Sequence, residues 1–243
     1  MGDRILSRAA LVVIAALAGR AVAQPGRESG RESGRESGRE SGRESGSIAG
    51  TVAVSEADGK PASATDVIVY VVGFTEPPGD RVTTVAQKGR KFVPDLVAVT
   101  VGERVAFPNY DAFLHNVFSL SGTRKFDLGS FVRGESKERL FPETGVVDVY
   151  CNIHPEMAAT ILVLPNRRHV NATADGKFRL DGVPPGEWTV FAYTRRATRP
   201  TSARVIVTSG AETPLDLALV RGSEPAHLNK YGEKYKDSPQ VYR

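Results

Sequence analysis

Val146-Val147-Asp148-Val149-Tyr150-Cys151-Asn152-Ile153-His154-Pro155-Glu156-Met157, running on into Ala158-Ala159-Thr160-Ile161-Leu162-Val163-Leu164, is the stretch that organises this chain. Val146 to Tyr150 and Ala159 to Leu164 are rich in β-branched residues, so they read as two strands joined by a tight loop. The loop holds the chain's one cysteine and its only methionine beyond Met1. A thiolate, an imidazole and a thioether so close together form a soft-metal ligand set. With three candidates on one loop, a fourth ligand has to come from elsewhere. His115, in Leu114-His115-Asn116, can supply a second imidazole. It follows the strand expected over Arg104 to Phe107 and the loop Pro108 to Ala112.

Two imidazoles, one thiolate and a weak axial thioether are the ligands of a blue-copper electron-transfer site. Copper cycling between two oxidation states needs a coordination sphere that changes little, and this set suits both states. Zinc held by Cys151, His115 and His154 is the main competitor, but zinc sites take sulfur from Cys rather than Met. Taken singly, a lone Cys on a strand is more often a small buried hydrophobe. A multicopper oxidase or copper nitrite reductase needs further histidine clusters, and only His169 and His227 remain, both read as surface residues. A binuclear purple-copper centre needs two bridging cysteines. Cys151 as a protease nucleophile needs an activating base, and a metal-ligand spacing with Met in place of an oxyanion donor argues against that role. No catalytic residue is expected.

The composition fits a fold able to assemble such a set. Fifteen prolines and 24 glycines stand among many Val and Thr residues, and no apolar run recurs at helical spacing. Short valine-rich runs punctuated by Gly, Pro and Asp point to sandwiches or barrels, so the expected class is all-β. A net charge of +4, without a Lys/Arg stripe interleaved with aromatics, argues against a nucleic-acid partner.

At the N-terminus, Arg4 and Arg8 precede an apolar run from Ala9 to Ala18, and Ala21-Val22-Ala23 has the form of a signal-peptidase site. The run falls short of the about 20 residues a membrane span needs. The expectation is a cleaved signal peptide over 1–23, a periplasmic or secreted location and no stable membrane span after cleavage; an uncleaved anchor is the competing reading. Export sharpens the cysteine argument, because cysteines usually pair in an oxidising compartment. A solitary one is an intermolecular linker, a reactive thiol or a ligand. Residues 26–45 are five copies of Gly-Arg-Glu-Ser, which offer no apolar residue to a core. They read as a disordered tail over 24–46, spanning about 25 Å as a coil, with no specific role required.

Ordered sequence begins at Ser47. Ile48 to Val54 and Val67 to Val72 read as strands about a turn at Asp58-Gly59-Lys60-Pro61, and Phe74 to Asp80 as a linker. Residues 82–164 form a strand-rich block with all four candidate ligands, left through Pro165-Asn166-Arg167-Arg168. A second strand series covers Phe178 to Leu180, Glu187 to Thr194, Ser202 to Val207 and Thr213 to Val220. Residues 223–243 read as an irregular tail whose Tyr231, Tyr235 and Tyr242 pack on the surface.

Phe92-Val93-Pro94, the run Val101-Gly102-Glu103-Arg104-Val105-Ala106-Phe107-Pro108-Asn109, His115-Asn116-Val117-Phe118-Ser119, Phe126-Asp127-Leu128-Gly129 and the Cys151–His154–Met157 loop follow one another in a recognisable order. Over 82–164 the chain resembles the cupredoxins, and its short loop with proline after the histidine is similar to that of amicyanin. The resemblance implies a Greek-key β-sandwich and one type 1 copper ion on His115, Cys151, His154 and Met157. It implies that Asn116 braces the loops and bonds toward the Cys151 sulfur, with Asn152 and Pro155 also around the ligands. It makes His154 the partly exposed ligand through which electrons pass.

Gly50-Thr51-Val52, Asp58-Gly59-Lys60-Pro61 and Val67-Ile68-Val69-Tyr70 resemble the opening of a carboxypeptidase regulatory-like (transthyretin-like) sandwich. Asp175 to Leu180, Val183-Pro184-Pro185-Gly186 and Trp188-Thr189-Val190 resemble its continuation. Neither part alone closes a sandwich. The expectation is therefore a small Ig/transthyretin-like β-sandwich split over 47–74 and 166–222, with the cupredoxin inserted; a tandem pair is the alternative. Trp188 reads as core rather than as a sugar platform, leaving glycan binding without support. Arg195, Arg196, Arg199 and Arg204 offer a basic edge for an acidic partner, although a solvated sheet face is the commoner explanation. The function expected is single-electron transport between a redox donor and acceptor, not an enzyme. Copper delivery, partner docking and a vestigial site are the alternatives.

Overall fold

The structure, a computed structural model, describes residues 45–199, 201–224 and 226–235. The expected signal peptide, nearly all of the repeat tail and Tyr242 lie outside the described residues. Within them every regular element is a strand, so the described part of the chain is all-β.

Gly46–Glu56 is the hub of one group of strands. Its first half runs antiparallel to Lys177–Val183 and parallel to Glu212–Pro214. Its second half pairs with Leu217–Arg221 and Pro61–Ala62. A second sheet orders His169–Asn171, Ile68–Val72, Gly186–Tyr193 and Thr201–Val207. Ile48, Val52 and Val54 meet Val67, Val69, Val71, Val190 and Val205 in one apolar core, the product of period-2 alternation on two facing sheets. Trp188 packs against this core and donates its indole N–H to Pro184 O at 2.7 Å.

One predicted strand is two. Thr213 to Val220 breaks at Leu215-Asp216, where Leu215 N bonds to Ala49 O and the Asp216 carboxylate accepts from Thr51 N and Oγ1. The crossing is possible because residue 50 is glycine: a Cβ there would lie 1.8 Å from Leu215 O.

Residues 83–164 pair among themselves. One sheet orders Phe126–Phe131, His115–Ser119, Gly145–Tyr150, Ala158–Leu164 and Leu96–Thr100; a second orders Ser136–Leu140, Arg104–Pro108 and Thr83–Thr84. Val97, Val99, Val105, Phe107, Phe126, Phe131, Phe141, Val147, Val149 and Ile161 fill the space between them. The chain leaves and rejoins the other sheets at one clamp. Buried Asn166 donates to Val71 O at 3.1 Å and Phe74 O at 3.0 Å, and Arg168 pairs with Glu76 at 2.6 Å.

No ladder joins the two groups of strands among the described residues; they meet through side chains. Ile68, Tyr70, Leu96, Leu162 and Leu164 are buried together, with Phe191 and Tyr193 against them. Tyr70 and Phe191 stack at 5.4 Å. Arg195 crosses the same boundary to Thr160 Oγ1 at 3.3 Å and Asp95 at 3.4 Å, and also pairs with Glu224. Arg196 pairs with Glu56 at 3.0 Å. These two arginines are thus engaged within the chain rather than presented as a docking edge. His169 and His227, expected at the surface, are half-buried: the first is paired into a ladder opposite Tyr70, the second stacked on Tyr150.

Candidate metal centre

Backbone pairing brings the candidate ligands His115 and Cys151 together. His115 opens a strand whose five residues are all buried. Phe118 of that strand pairs antiparallel with Tyr150, which sets His115 beside Cys151 at the end of Gly145–Tyr150. The loop then closes on itself through Met157 N to His154 O at 3.0 Å and Cys151 N to Met157 O at 3.2 Å. Met157 is buried in the same core as Cys151.

His115 Nδ1 and His154 Nδ1 lie 3.0 Å apart. Cys151 Sγ is 3.9 Å from the first and 3.7 Å from the second. The three form the one cluster of potential metal-holding His, Cys, Asp or Glu groups among the described residues, and all three are buried. Nitrogen and sulfur ligands about 2.0 and 2.3 Å from one ion, at trigonal angles, sit about 3.8 Å apart, so both S–N edges fit a shared ion. The donor chemistry, two imidazoles and a thiolate with a thioether in the same core, fits copper.

The surroundings suit these atoms to metal binding. His115 Nε2 is 2.8 Å from Asp111 Oδ2. A carboxylate only accepts, so the ring proton sits on Nε2 and the Nδ1 lone pair faces the site. Burial works to raise the Asp111 carboxyl, yet it stays below the usual range because Arg90 N, Gly89 N and His115 donate to it. Those amides lie at 2.9 and 2.7 Å. Burial also pushes the Cys151 thiol up, against the pull of the Asn116, Ile153 and His154 N–H groups toward thiolate. His154 is held below the ordinary histidine value, first by burial and then by His115 and Arg90. A neutral imidazole is what a metal needs.

Two expectations change. His154 is 7% exposed, not an open edge, because Phe113 stands edge-on to it at 5.5 Å and to His115 at 5.1 Å. Asn116 does face the sulfur, through its backbone N–H at 3.5 Å, while its side-chain amide reaches Asp127 at 2.7 Å. Asn152 turns away from the ligands and accepts from Lys230 N at 3.0 Å, while Pro155 is exposed. Asp111, Phe113 and Asp127 escaped the sequence reading as supports of the site. The one signal was Asp111's place four residues before His115, within reach of the ring's far side.

No protein-family model matches the chain, and no curated protein matches it. Solved structures do. The purple cupredoxin from Nitrosopumilus maritimus is 24% identical, covering 33% of this chain and 98% of its own, at a TM-score of 0.31. A reduced variant of amicyanin is 23% identical, covering 39% of this chain and 97% of its own, at a TM-score of 0.33. A copper-containing nitrite reductase from Thermus scotoductus is 26% identical, covering 39% of this chain but 25% of its own length, at a TM-score of 0.33. These neighbours are cupredoxins or copper proteins, and most of this chain lies outside each match. None of the three is a carboxypeptidase regulatory-like protein.

Proposed function

We propose that this chain is an exported, mononuclear copper protein that carries single electrons between redox partners and catalyses no reaction itself. Its ligands are His115, Cys151, His154 and Met157. The observation that carries the reading is the triangle of Nδ1, Nδ1 and Sγ at 3.0, 3.7 and 3.9 Å inside a closed core. When bound, copper supplies a one-electron couple whose potential the axial ligand tunes.

The protein's own groups hold that core in one arrangement. Asp111 orients His115, the backbone N–H of Asn116 faces the sulfur, and the closed loop fixes Cys151 relative to His154. Phe113 keeps water off both imidazoles while remaining 39% exposed, with Tyr110 and Leu114 exposed near it in sequence. We place the electron path at this aromatic cover, through His154. The strands of 46–72 and 169–221 form, in this reading, a split transthyretin-like sandwich into which the copper domain is inserted. That sandwich is a scaffold rather than a glycan binder, since Trp188 is committed to its core.

The test is to cycle copper-loaded protein between oxidised and reduced states with a copper(I) chelator present. Retention of the metal over repeated reversible one-electron cycles supports a carrier. Loss of copper on the first reduction overturns it in favour of copper delivery. Stoichiometric zinc binding that copper cannot displace overturns the copper assignment itself.

A further inference from the structure

Beyond Leu217–Arg221 the chain crosses to the ligand loop and touches it at consecutive residues. The His227 ring lies on Tyr150, with centroids 4.0 Å apart and planes 8° apart, and the Tyr235 ring stands edge-on to His227 at 5.3 Å. The Tyr235 hydroxyl donates to the Cys151 carbonyl at 2.9 Å. Lys230 N donates to Asn152 Oδ1 at 3.0 Å. The Lys230 ammonium also pairs with Asp127 at 2.8 Å, the carboxylate that holds the Asn116 side chain. Tyr150, Cys151 and Asn152 are therefore each gripped from outside by a different group.

The gripping segment has a shape of its own. Asn229 Oδ1 accepts from Tyr231 N and Glu233 N. Asn229 N bonds to Glu233 O at 2.8 Å and Gly232 N to Asn229 O at 3.0 Å, closing a turn through Gly232 at φ +80°. The turn leaves Tyr231 72% exposed and presents Lys230 on one flank and Tyr235 on the other. Such a turn loses little further freedom when it grips its target.

We infer that residues 226–235 are a strap belonging to the metal centre, with Tyr235 and Lys230 as positioning residues for the Cys151 loop. The inference rests on the copper reading above. The loop's internal bonds tie Cys151 N and Met157 N, but leave the Cys151 carbonyl and the Asn152 side chain to the strap. With both held, the sulfur-bearing residue cannot swing from the two imidazoles, and metal escape requires the strap to lift first. Copper retention thereby depends on a segment reached only after the strands of the other sandwich.

The test uses the full chain, a Tyr235→Phe variant and a chain ending at Glu224. Each is loaded with copper(II), and metal loss to excess chelator is followed by visible absorption. Amide exchange of Cys151 and Met157 is followed in the metal-free proteins. Tyr235→Phe is expected to lose copper about fivefold faster, the change one net hydrogen bond allows. The shortened chain is expected to lose it faster still, and both amides exchange faster in both variants. Unchanged copper loss and unchanged exchange in Tyr235→Phe overturn the strap, even if the shortened chain fails to fold. If the full chain takes up no copper, the copper reading fails, and the exchange comparison alone then decides whether the strap holds the loop.

Discussion

His115 is held at both ring nitrogens, one facing Cys151 and His154, the other fixed by Asp111 Oδ2 at 2.8 Å. A carboxylate behind a ligand imidazole makes that imidazole a stronger donor, which favours the more highly charged oxidised ion. Asp111→Asn keeps the side chain's shape and removes the charge. The reduction potential should then rise by tens of millivolts in voltammetry, where about 59 mV is a tenfold change in the preference between oxidation states. An unchanged potential would leave Asp111 as loop packing only. The His115, Cys151 and His154 cluster was legible in the sequence because residue type and spacing carry the chemistry. Asp111 was not, since an acidic residue in a turn has many ordinary uses and only folding shows which one applies. Nor does sequence distinguish the backbone N–H of Asn116 from its side chain as the group facing sulfur.

At the scale of elements, most strands could be read from β-branched runs, and the misreading lies where a side-chain pattern conceals a backbone event. Thr213 to Val220 alternates plausibly as one strand, yet Asp216 caps Thr51 and the pairing shifts from Ser47–Ala49 to Val52–Glu56 across the break. Gly50 is the residue that permits it. Gly50→Ala forces a Cβ into the Leu215 carbonyl, backbone against backbone, and should cost about 3 kcal/mol or more. Urea unfolding should show a lowered midpoint, while copper-loaded protein below that midpoint keeps the parent spectrum, because the site lies on other strands. A wild-type midpoint in Gly50→Ala contradicts so close a crossing. The runs Val67 to Val72 and Ala159 to Leu164 also held more information than strand assignment extracts. Apolar residues in succession, rather than alternating, mark a strand buried on both faces, and both runs supply the boundary between the two groups of strands.

Across the whole molecule, three histidines outside His115 share one property. His154, His169 and His227 each lie below the ordinary histidine value, chiefly because burial disfavours the cation. Unfolding releases them, so below about pH 6.5 the unfolded chain binds more protons than the folded one. The stability they contribute is complete above that pH and is lost as pH falls through their folded values. The lowered carboxyls of Glu76, Asp111 and Asp127 extend the loss below about pH 4. Thermal melting of the metal-free protein should therefore fall between pH 7.5 and pH 5; a flat or rising profile contradicts this. The account's central claim is that Cys151 binds copper together with His115 and His154. Visible absorption of the protein after one equivalent of copper(II), beside Cys151→Ser, tests it most directly. An intense sulfur-to-copper band in the parent, absent from the variant, is the predicted result. A colourless copper adduct, or a band that survives Cys151→Ser, contradicts the account.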